Sequence, residues 1–494
     1  MAEPVQRPTD EPLNRWGRWK APEYPKRGSG PDGLRLVAGS AVLGLVVAAG
    51  AVLAAGPWDS GQRKAERDRA AVSQSAGGAH HEGTAPDGPA PAPSAPVVMK
   101  ALGASSGLTS PAGARSLETA LAPLLDTPAL GSVRTAVVVD TATGKQLYAR
   151  GAATQMTPAS TVKIATTAAA LSALGPAHRI ATTVRLSPDS RTLTLVGGGD
   201  PTLDKGALRA LAADTARSLR DGGTGQVRLT YDTSRYSGPA LHPIGPNENI
   251  APVSALMADE GRLDGSDKGP ALRTTDPAGD AARTFADLLG EAGVDTRSAP
   301  SSGRAVAGSR TVATHLSKPL SDLVERALTN SDNDIAEGLA RQTALKAGEP
   351  ASFAGSRRAV TARLKALGLP LAGARLSDGS GLDRADKVTA GLLARLLALA
   401  AGPDHPELRP VLTGLPIAGF SGTLGDRYSA TSPATGLIRA KTGTLTGVNS
   451  LAGTAVDAQG RLLAFAFLAS GTTSPEEAEA SLDTLATTLT EGTP

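Results

Sequence analysis

The chain has 494 residues, enough for two or three domains, and 50 basic against 47 acidic side chains leave a formal charge of +3. That balance, with no dense basic stripe, argues against nucleic-acid binding. The absence of cysteine excludes disulfides and thiolate metal sites, and aromatics at 3% leave a core built of Ala, Leu and Val.

Residues 36–55, LVAGSAVLGLVVAAGAVLAA, form a charge-free apolar run. About 20 such residues cross a hydrocarbon core of roughly 30 Å as helix. Arg15, Arg18, Lys20, Lys26, Arg27 and Arg35 precede it. The excess of positive charge on that side makes residues 1–33 a cytoplasmic tail, 34–55 a transmembrane anchor in the cell membrane, and all that follows extracytoplasmic. The alternative is a cleaved signal peptide and secretion, but the leader is long and the apolar run exceeds a usual signal core. Residues 56–115, as in GTAPDGPAPAPSAP, hold too few large apolar side chains to fold, and read as a disordered linker. About 60 such residues reach roughly 45 Å. GASSG at 103–107 matches G-x-S-x-G, but no strand precedes it and no helix follows closely.

Folding is expected from near Ser116. TAVVVDTATGKQLYAR (135–150) predicts two strands around Gly144. A helix is expected from Ala159 to Leu174, closed by Gly175 and Pro176. Strands follow at ATTVRLS and RTLTLVG, a helix at ALRALAADTARSLRDGG and a strand at QVRLTYD; residues 238–278 show little periodicity. Helical patterns return from Thr314 in LSDLVERAL, DIAEGLARQTALKAG, SRRAVTARLKALG and TAGLLARLLALA. Strand-like alternation follows in LIRAKTG, NSLAGTAVD and LLAFAFLAS, before a last helix near 475–488. Helices and antiparallel-looking strands in separate runs indicate an α+β fold.

Chemistry points to PASTVKIATT (158–167). Ser160 near a helix start is a good cap. Lys163, three residues on, shares its face, so hydroxyl and ammonium meet; a lysine held dry loses its proton more easily and then accepts one from serine. Two further islands stand downstream: Ser331-Asp332-Asn333 between helical runs, and Lys441-Thr442-Gly443-Thr444 at a strand end. Each has a plain reading as well. Ser331 caps the following helix, and Lys441 guards an edge strand. In the order Ser-x-x-Lys, Ser-x-Asn, Lys-Thr-Gly, however, they form the motif set of penicillin-recognising serine acyl transferases. Acyl transfer then assigns Ser160 as nucleophile, Lys163 as its base and Ser331 as the group passing a proton to the leaving amine. Asn333 orients the substrate backbone, Lys441 offers charge to a substrate carboxylate, and Thr442 and Thr444 offer hydroxyls. The backbone N–H groups of Ser160 and Thr444 form the oxyanion hole. Neither cofactor nor metal is required.

With GGGDPTL (197–203), SDNDIAE, DGSGL (378–382), GTLGDR (422–427) and AKTGTLTGVNSLAG, the chain resembles the class C low-molecular-mass penicillin-binding proteins, the D-alanyl-D-alanine carboxypeptidase/endopeptidases. The resemblance implies a transpeptidase/β-lactamase-like catalytic domain, an antiparallel sheet flanked by helices, split by a large inserted domain. The catalytic parts fall at 116–179 and 313–494, and the insertion at 180–312. It also implies cleavage of peptidoglycan stem peptides through an acyl-enzyme on Ser160, and acylation by β-lactams as covalent inhibitors. The resemblance also implies that Gly443 binds substrate with Thr442 and Thr444; in some relatives an arginine matching Arg384 shapes a side-chain pocket for substrate, and a surface ion pair of Arg384 with Asp383 or Asp386 is the other reading. HPIGPNENIAP (242–252) holds no clear counterpart of the acid that some relatives contribute from the insertion, and GGGDPTL reads as a turn joining domains. Two alternatives stay open: a serine β-lactamase, for which no E-x-x-L-N element is present to activate water, and a non-catalytic peptidoglycan- or penicillin-binding sensor.

Overall fold

The computed structural model describes residues 117–223 and 225–491. The expected tail (1–33), anchor (34–55) and linker (56–115) lie outside the described residues. Among the described residues no helix is long and apolar enough to cross a membrane.

Helix α1 (Leu117–Leu125) leads to strands β1 (Val133–Asp140) and β2 (Gln146–Arg150), with Gly144 in the turn between them at φ 70°. A 3₁₀ turn (Ala159–Val162) opens into helix α2 (Lys163–Leu174), so the α-helix expected from Ala159 begins one turn later. Then come β3 (Ala181–Leu186), β4 (Thr192–Val196), α3 (Lys205–Asp221) and β5 (Gln226–Asp232). A long irregular stretch precedes α4 (Pro277–Glu291), the short β6 (Asp295–Thr296) and β7 (Ser301–Ser302), and β8 (Arg310–Leu316). Five helices follow: α5 (Leu320–Thr329), α6 (Asn333–Lys346), α7 (Phe353–Ala366), α8 (Ala390–Ala401) and α9 (Arg409–Thr413). The chain closes with β9 (Ile438–Leu445), β10 (Val448–Val456), β11 (Leu462–Ser470) and α10 (Pro475–Thr490). The sequence reading passed over α1 and α4. The second was announced by Asp276, whose side chain caps Gly279 N, and by Pro277 in the first turn.

Two sheets organise these elements. One has the order β2-β1-β11-β10-β9 and is antiparallel throughout. The other runs β6-β5-β4-β3-β8, all from residues 181–316; its β3 pairs are antiparallel, whereas β5 is parallel to β4, β6 and β7. The architecture is α+β.

The first sheet is covered on both faces, which explains why LLAFAFLAS is apolar throughout rather than alternating with polar residues. Successive side chains on a strand point to opposite faces. Ala464, Ala466 and Leu468 pack toward the cluster that holds α2, α5 and α8; Leu463, Phe465 and Phe467 pack toward α1 and α10. Helix α2 is buried from Lys163 to Leu171 on every side, so its Ala168-Ala169-Ala170 run gives the close approach its neighbours need. The second sheet keeps its own core around Leu193, Leu195, Leu229 and Phe285.

Candidate active site

The 3₁₀ turn places Ser160, half-buried, one turn before the fully buried Lys163. The turn is strained: Ala159 has φ 49°, a left-handed conformation that costs a non-glycine residue about 1–3 kcal/mol. Ser160 does not cap the helix through its side chain. Lys163 Nζ instead donates to Ser160 Oγ at 3.0 Å, to Asn333 Oδ1 at 2.7 Å and to the Ser380 carbonyl at 2.6 Å. All three ammonium hydrogens therefore have acceptors, two of them from far-off elements. Burial brings the lysine down to about 8, although Asp378, Asp332, Glu337 and Asp386 pull the other way.

The Ser380 carbonyl belongs to the loop between α7 and α8, built from DGSGL. Asp378 Oδ1 accepts from Gly381 N at 2.7 Å; Oδ2 accepts from Ser380 Oγ at 3.0 Å and from Asp383 N at 2.8 Å. Glu337 on α6 accepts from Gly379 N at 2.8 Å and Ser380 N at 3.0 Å. Gly381, at φ 86°, is obligatory: a Cβ there would lie 2.0 Å from the Ala159 carbonyl. Asp386, which accepts from Ser377 N, is pushed up to about 10 by burial and by the charge of Asp378 beside it.

Asn333 opens α6. The cap of that helix is Asp332, which accepts from Ile335 N at 2.9 Å, and not Ser331, the cap suggested by the sequence. Ser331 sits at φ 57°, half-buried, just before the cap. The irregular stretch between β5 and α4 clasps this motif: Asn333 Nδ2 donates to Asn249 O at 2.9 Å, and Ala251 N donates to Asp334 Oδ1 at 2.9 Å. Behind it Arg273 pairs with Asp334 at 3.0 Å, while Glu260 holds Arg262 at 2.8 Å and Arg326. Three acids, Glu260, Asp332 and Asp334, meet there, and two acids meet a histidine in the His242–Glu337–Asp378 group. Arginines and backbone amides already occupy the first group; His242 and loop amides occupy the second.

Strand β9 brings in Lys441, Thr442, Gly443 and Thr444 at the edge of the first sheet. Gly443 must be glycine because a Cβ would lie 2.6 Å from Pro158 O and 3.1 Å from Ser160 N. The strand edge thus passes directly beside the Ser160 amide. Lys441 is fully buried, not an exposed gatekeeper, and donates to Thr442 O at 2.9 Å. Burial, then the charges of Lys163 and Arg427, push it well below the ordinary lysine value. Thr442 Oγ1 donates to Thr423 Oγ1 at 2.8 Å, and Thr444 Oγ1 donates to Glu479 Oε1 at 2.8 Å. Arg384 is exposed and makes neither expected ion pair; its Nη2 donates to Thr446 O at 2.8 Å, in the β9–β10 turn.

The three islands therefore converge, with Lys163 in the middle. Sequence reasoning missed His242, Asn249, Glu337 and Ser380, which hold the site from behind. Asn249 and Ser380 act through backbone carbonyls, which leave no trace in residue identity, and a lone histidine in an aperiodic stretch is no signal. GGGDPTL packs where β4 ends against α6, its Gly198 carbonyl accepting from Gln342 Nε2 at 2.8 Å.

A hydroxyl, a buried amine and a motif-bearing strand edge brought together on an antiparallel sheet with helices on both faces define the class of serine acyl transferases. The chain belongs to the D-Ala-D-Ala carboxypeptidase 3 (S13) family, which it matches over residues 117–266 and 263–491. It is 40% identical over 373 residues to carboxypeptidase DacB of Mycolicibacterium smegmatis, covering 72% of this chain and 80% of that one. It is 31% identical over 470 residues to the D-alanyl-D-alanine carboxypeptidase of Actinomadura sp. strain R39, covering 76% and 85%. Its fold matches that of penicillin-binding protein 4 (dacB) from Haemophilus influenzae, with a TM-score of 0.63 at 23% identity over 75% of this chain and 98% of the other.

Proposed function

We propose that this chain is a serine-type D-Ala-D-Ala carboxypeptidase/endopeptidase that cleaves peptidoglycan stem peptides through an acyl-enzyme on Ser160, and that β-lactams acylate the same serine. The observation that carries the reading is the contact of 3.0 Å between Lys163 Nζ and Ser160 Oγ, made by an amine whose burial brings it down to about 8. A base poised near neutral pH is what abstraction of a hydroxyl proton needs. In this reading Ser160 attacks the carbonyl of the penultimate residue and its proton passes to Lys163. The Ser160 and Thr444 amides hold the oxyanion, Ser331 relays the proton to the leaving amine, and water then releases the acyl group. Asn333 and the hydroxyls of Thr442 and Thr444 orient the peptide, and Lys441 meets the carboxylate. Arg384, tied to the β9–β10 turn, borders the substrate side chain. The test is mass spectrometry of the purified chain after penicillin, followed by product analysis on a stem pentapeptide and a cross-linked dimer. An adduct on Ser160 that Ser160→Ala abolishes, together with release of D-Ala, is expected. Rapid turnover of penicillin would favour a β-lactamase; neither adduct nor D-Ala would leave a binding protein.

We further propose that residues 34–55 anchor the chain in the cell membrane with the catalytic part outside. The support is the uncharged apolar run at 36–55 and the six basic residues from Arg15 to Arg35 before it. Carbonate-resistant membrane fractionation of the full chain, and protease accessibility of residues after 115 in intact cells, test this; recovery of a shortened chain in the medium would indicate signal cleavage instead.

A further inference from the structure

We infer that His242 is a positioning residue for Lys163: its imidazole, delivered by the irregular stretch between β5 and α4, holds the Asp378 loop in the shape that presents the Ser380 carbonyl to the lysine amine. His242 Nε2 lies 2.9 Å from Asp378 Oδ2, and the two side chains are 1% and 0% exposed. Ile244 N donates to Nδ1 at 3.3 Å, so the proton sits on Nε2 and points at Asp378. The ring stands edge-on to Phe353, with centroids 5.3 Å apart and planes at 89°. The imidazole is thus fixed on three sides.

Asp378 is the hub through which this fixing reaches the amine. Its two oxygens also accept from Ser380 Oγ, Gly381 N and Asp383 N, which shapes the turn around Ser380. The Ser380 carbonyl then accepts from Lys163 Nζ at 2.6 Å, shorter than the lysine's bonds to Asn333 and Ser160. The charged and titratable groups around the imidazole are Asp378, Asp383 and Asp386 on the loop, with Glu337 and Arg341 on α6. Lys163 lies beyond Ser380. Burial works against a charged imidazole, but the Asp378 hydrogen bond and the nearby Glu337 outweigh it and raise the ring above its ordinary value. Either protonation state leaves Nε2–H donating to Asp378.

The sign of the effect on Lys163 follows. Asp378 is the foremost of the carboxylates that keep a proton on this lysine. The Ser380 carbonyl favours the same ammonium by accepting from it; without the His242 donor the loop no longer presents that carbonyl, and Lys163 gives up its proton at lower pH while losing its alignment on Ser160.

This inference rests on the reading of Lys163 as the base. The experiment is the rate of acylation by penicillin against pH for the full chain, for His242→Gln and for His242→Met. The two variants are unbranched and alike in size, and only glutamine keeps an N–H near the Nε2 position. Thermal melting first establishes that each is folded; should the methionine variant not fold, His242→Ala takes its place. Expected is a rate that rises with pH with the same midpoint in the native chain and His242→Gln, and, in the variant lacking the donor, a midpoint lower by about one unit with a limiting rate about tenfold lower because the amine is no longer aligned on Ser160. An unmoved midpoint in a folded donor-less variant would overturn the inference, as would an equal shift in both variants, since packing alone would then account for it. A native chain that is not acylated at all would overturn the proposed function itself, and this inference with it.

Discussion

The Asn333 side chain joins two parts of the molecule that share no sequence: its oxygen accepts from Lys163 Nζ at 2.7 Å, while its amide donates to the Asn249 carbonyl at 2.9 Å. The stretch between β5 and α4 therefore sets the rotamer of a residue that touches the Lys163 amine. Asn333→Asp keeps the shape and the oxygen that accepts from Lys163, but loses the N–H donated to Asn249. A carboxylate would face the Asn249 carbonyl without a proton and would stand against the ammonium. An opposite charge at such range raises a lysine by about 1–3 units. Acylation at pH 7 should fall about 10- to 1000-fold, with part of the loss recovered at higher pH. A pH–rate profile checks it; a loss that is the same at every pH would place the residue in substrate binding alone.

Burying Lys163 costs stability. The ammonium is the form disfavoured inside, so the fold holds the lysine at about 8 against an ordinary 10.5. A group depressed by about 2.5 units carries a penalty of roughly 3 kcal/mol, complete below the folded value and relieved as pH climbs to the unfolded one. Lys163→Met removes it but leaves the Ser380 carbonyl and Asn333 oxygen short of a donor, at about 1 kcal/mol each. The variant should be inactive yet more stable by on the order of 1–2 kcal/mol at pH 7, an advantage that fades between pH 8 and 10.5. Denaturant melts at several pH values measure this directly, and a variant less stable at neutral pH would contradict it.

Lys441 is pushed well below its ordinary value by burial and by the charges of Lys163 and Arg427, so the empty site disfavours its ammonium. A carboxylate arriving beside it favours the ammonium, and binding then takes up a proton. KM for a carboxylate-ended peptide should rise with pH, by at most about tenfold per unit, while KM for a neutral ester stays level. Parallel KM profiles for the two substrates would remove Lys441 from carboxylate recognition.

Gly443 lets β9 lie against the turn that carries Ser160. Gly443→Ala would drive a methyl into Pro158 O and the Ser160 amide, neither of which is a flexible side-chain end. Overpacking of this kind costs about 1–3 kcal/mol, and here the displaced atoms belong to the expected oxyanion hole. Labelling by fluorescent penicillin should drop at least tenfold with the chain still folded; normal labelling would show that the strand stands off from Ser160.

Much of the site was legible before any coordinates, because acyl transfer demands particular side chains and those keep short spacings. Ser160 and Lys163 lie one turn apart by necessity, and Lys441 to Thr444 sit together on one strand. Element types were legible too where periodicity is strong, as in α5, or where an apolar run is short, as in LLAFAFLAS. Helix α4 was passed over although Asp276-Pro277 marked its start, and the helix expected from Ala159 began one turn late because the chain tightens into a strained 3₁₀ turn against Gly381. The cap of α6 fell to Asp332 rather than Ser331, since Ser331 itself takes a left-handed conformation.

The sequence by itself determined which groups are candidates for the chemistry and where most helices and strands form, since both are written in residue type and local spacing. Tertiary structure alone decided what surrounds them. That Lys163 has a carbonyl as its shortest partner, that Lys441 is sealed from water, and that His242 and Asn249 brace the crevice from a stretch without pattern all depend on contacts across scores of residues. Burial and through-space charge set the proton affinities of the two lysines, and neither is a local property of the chain.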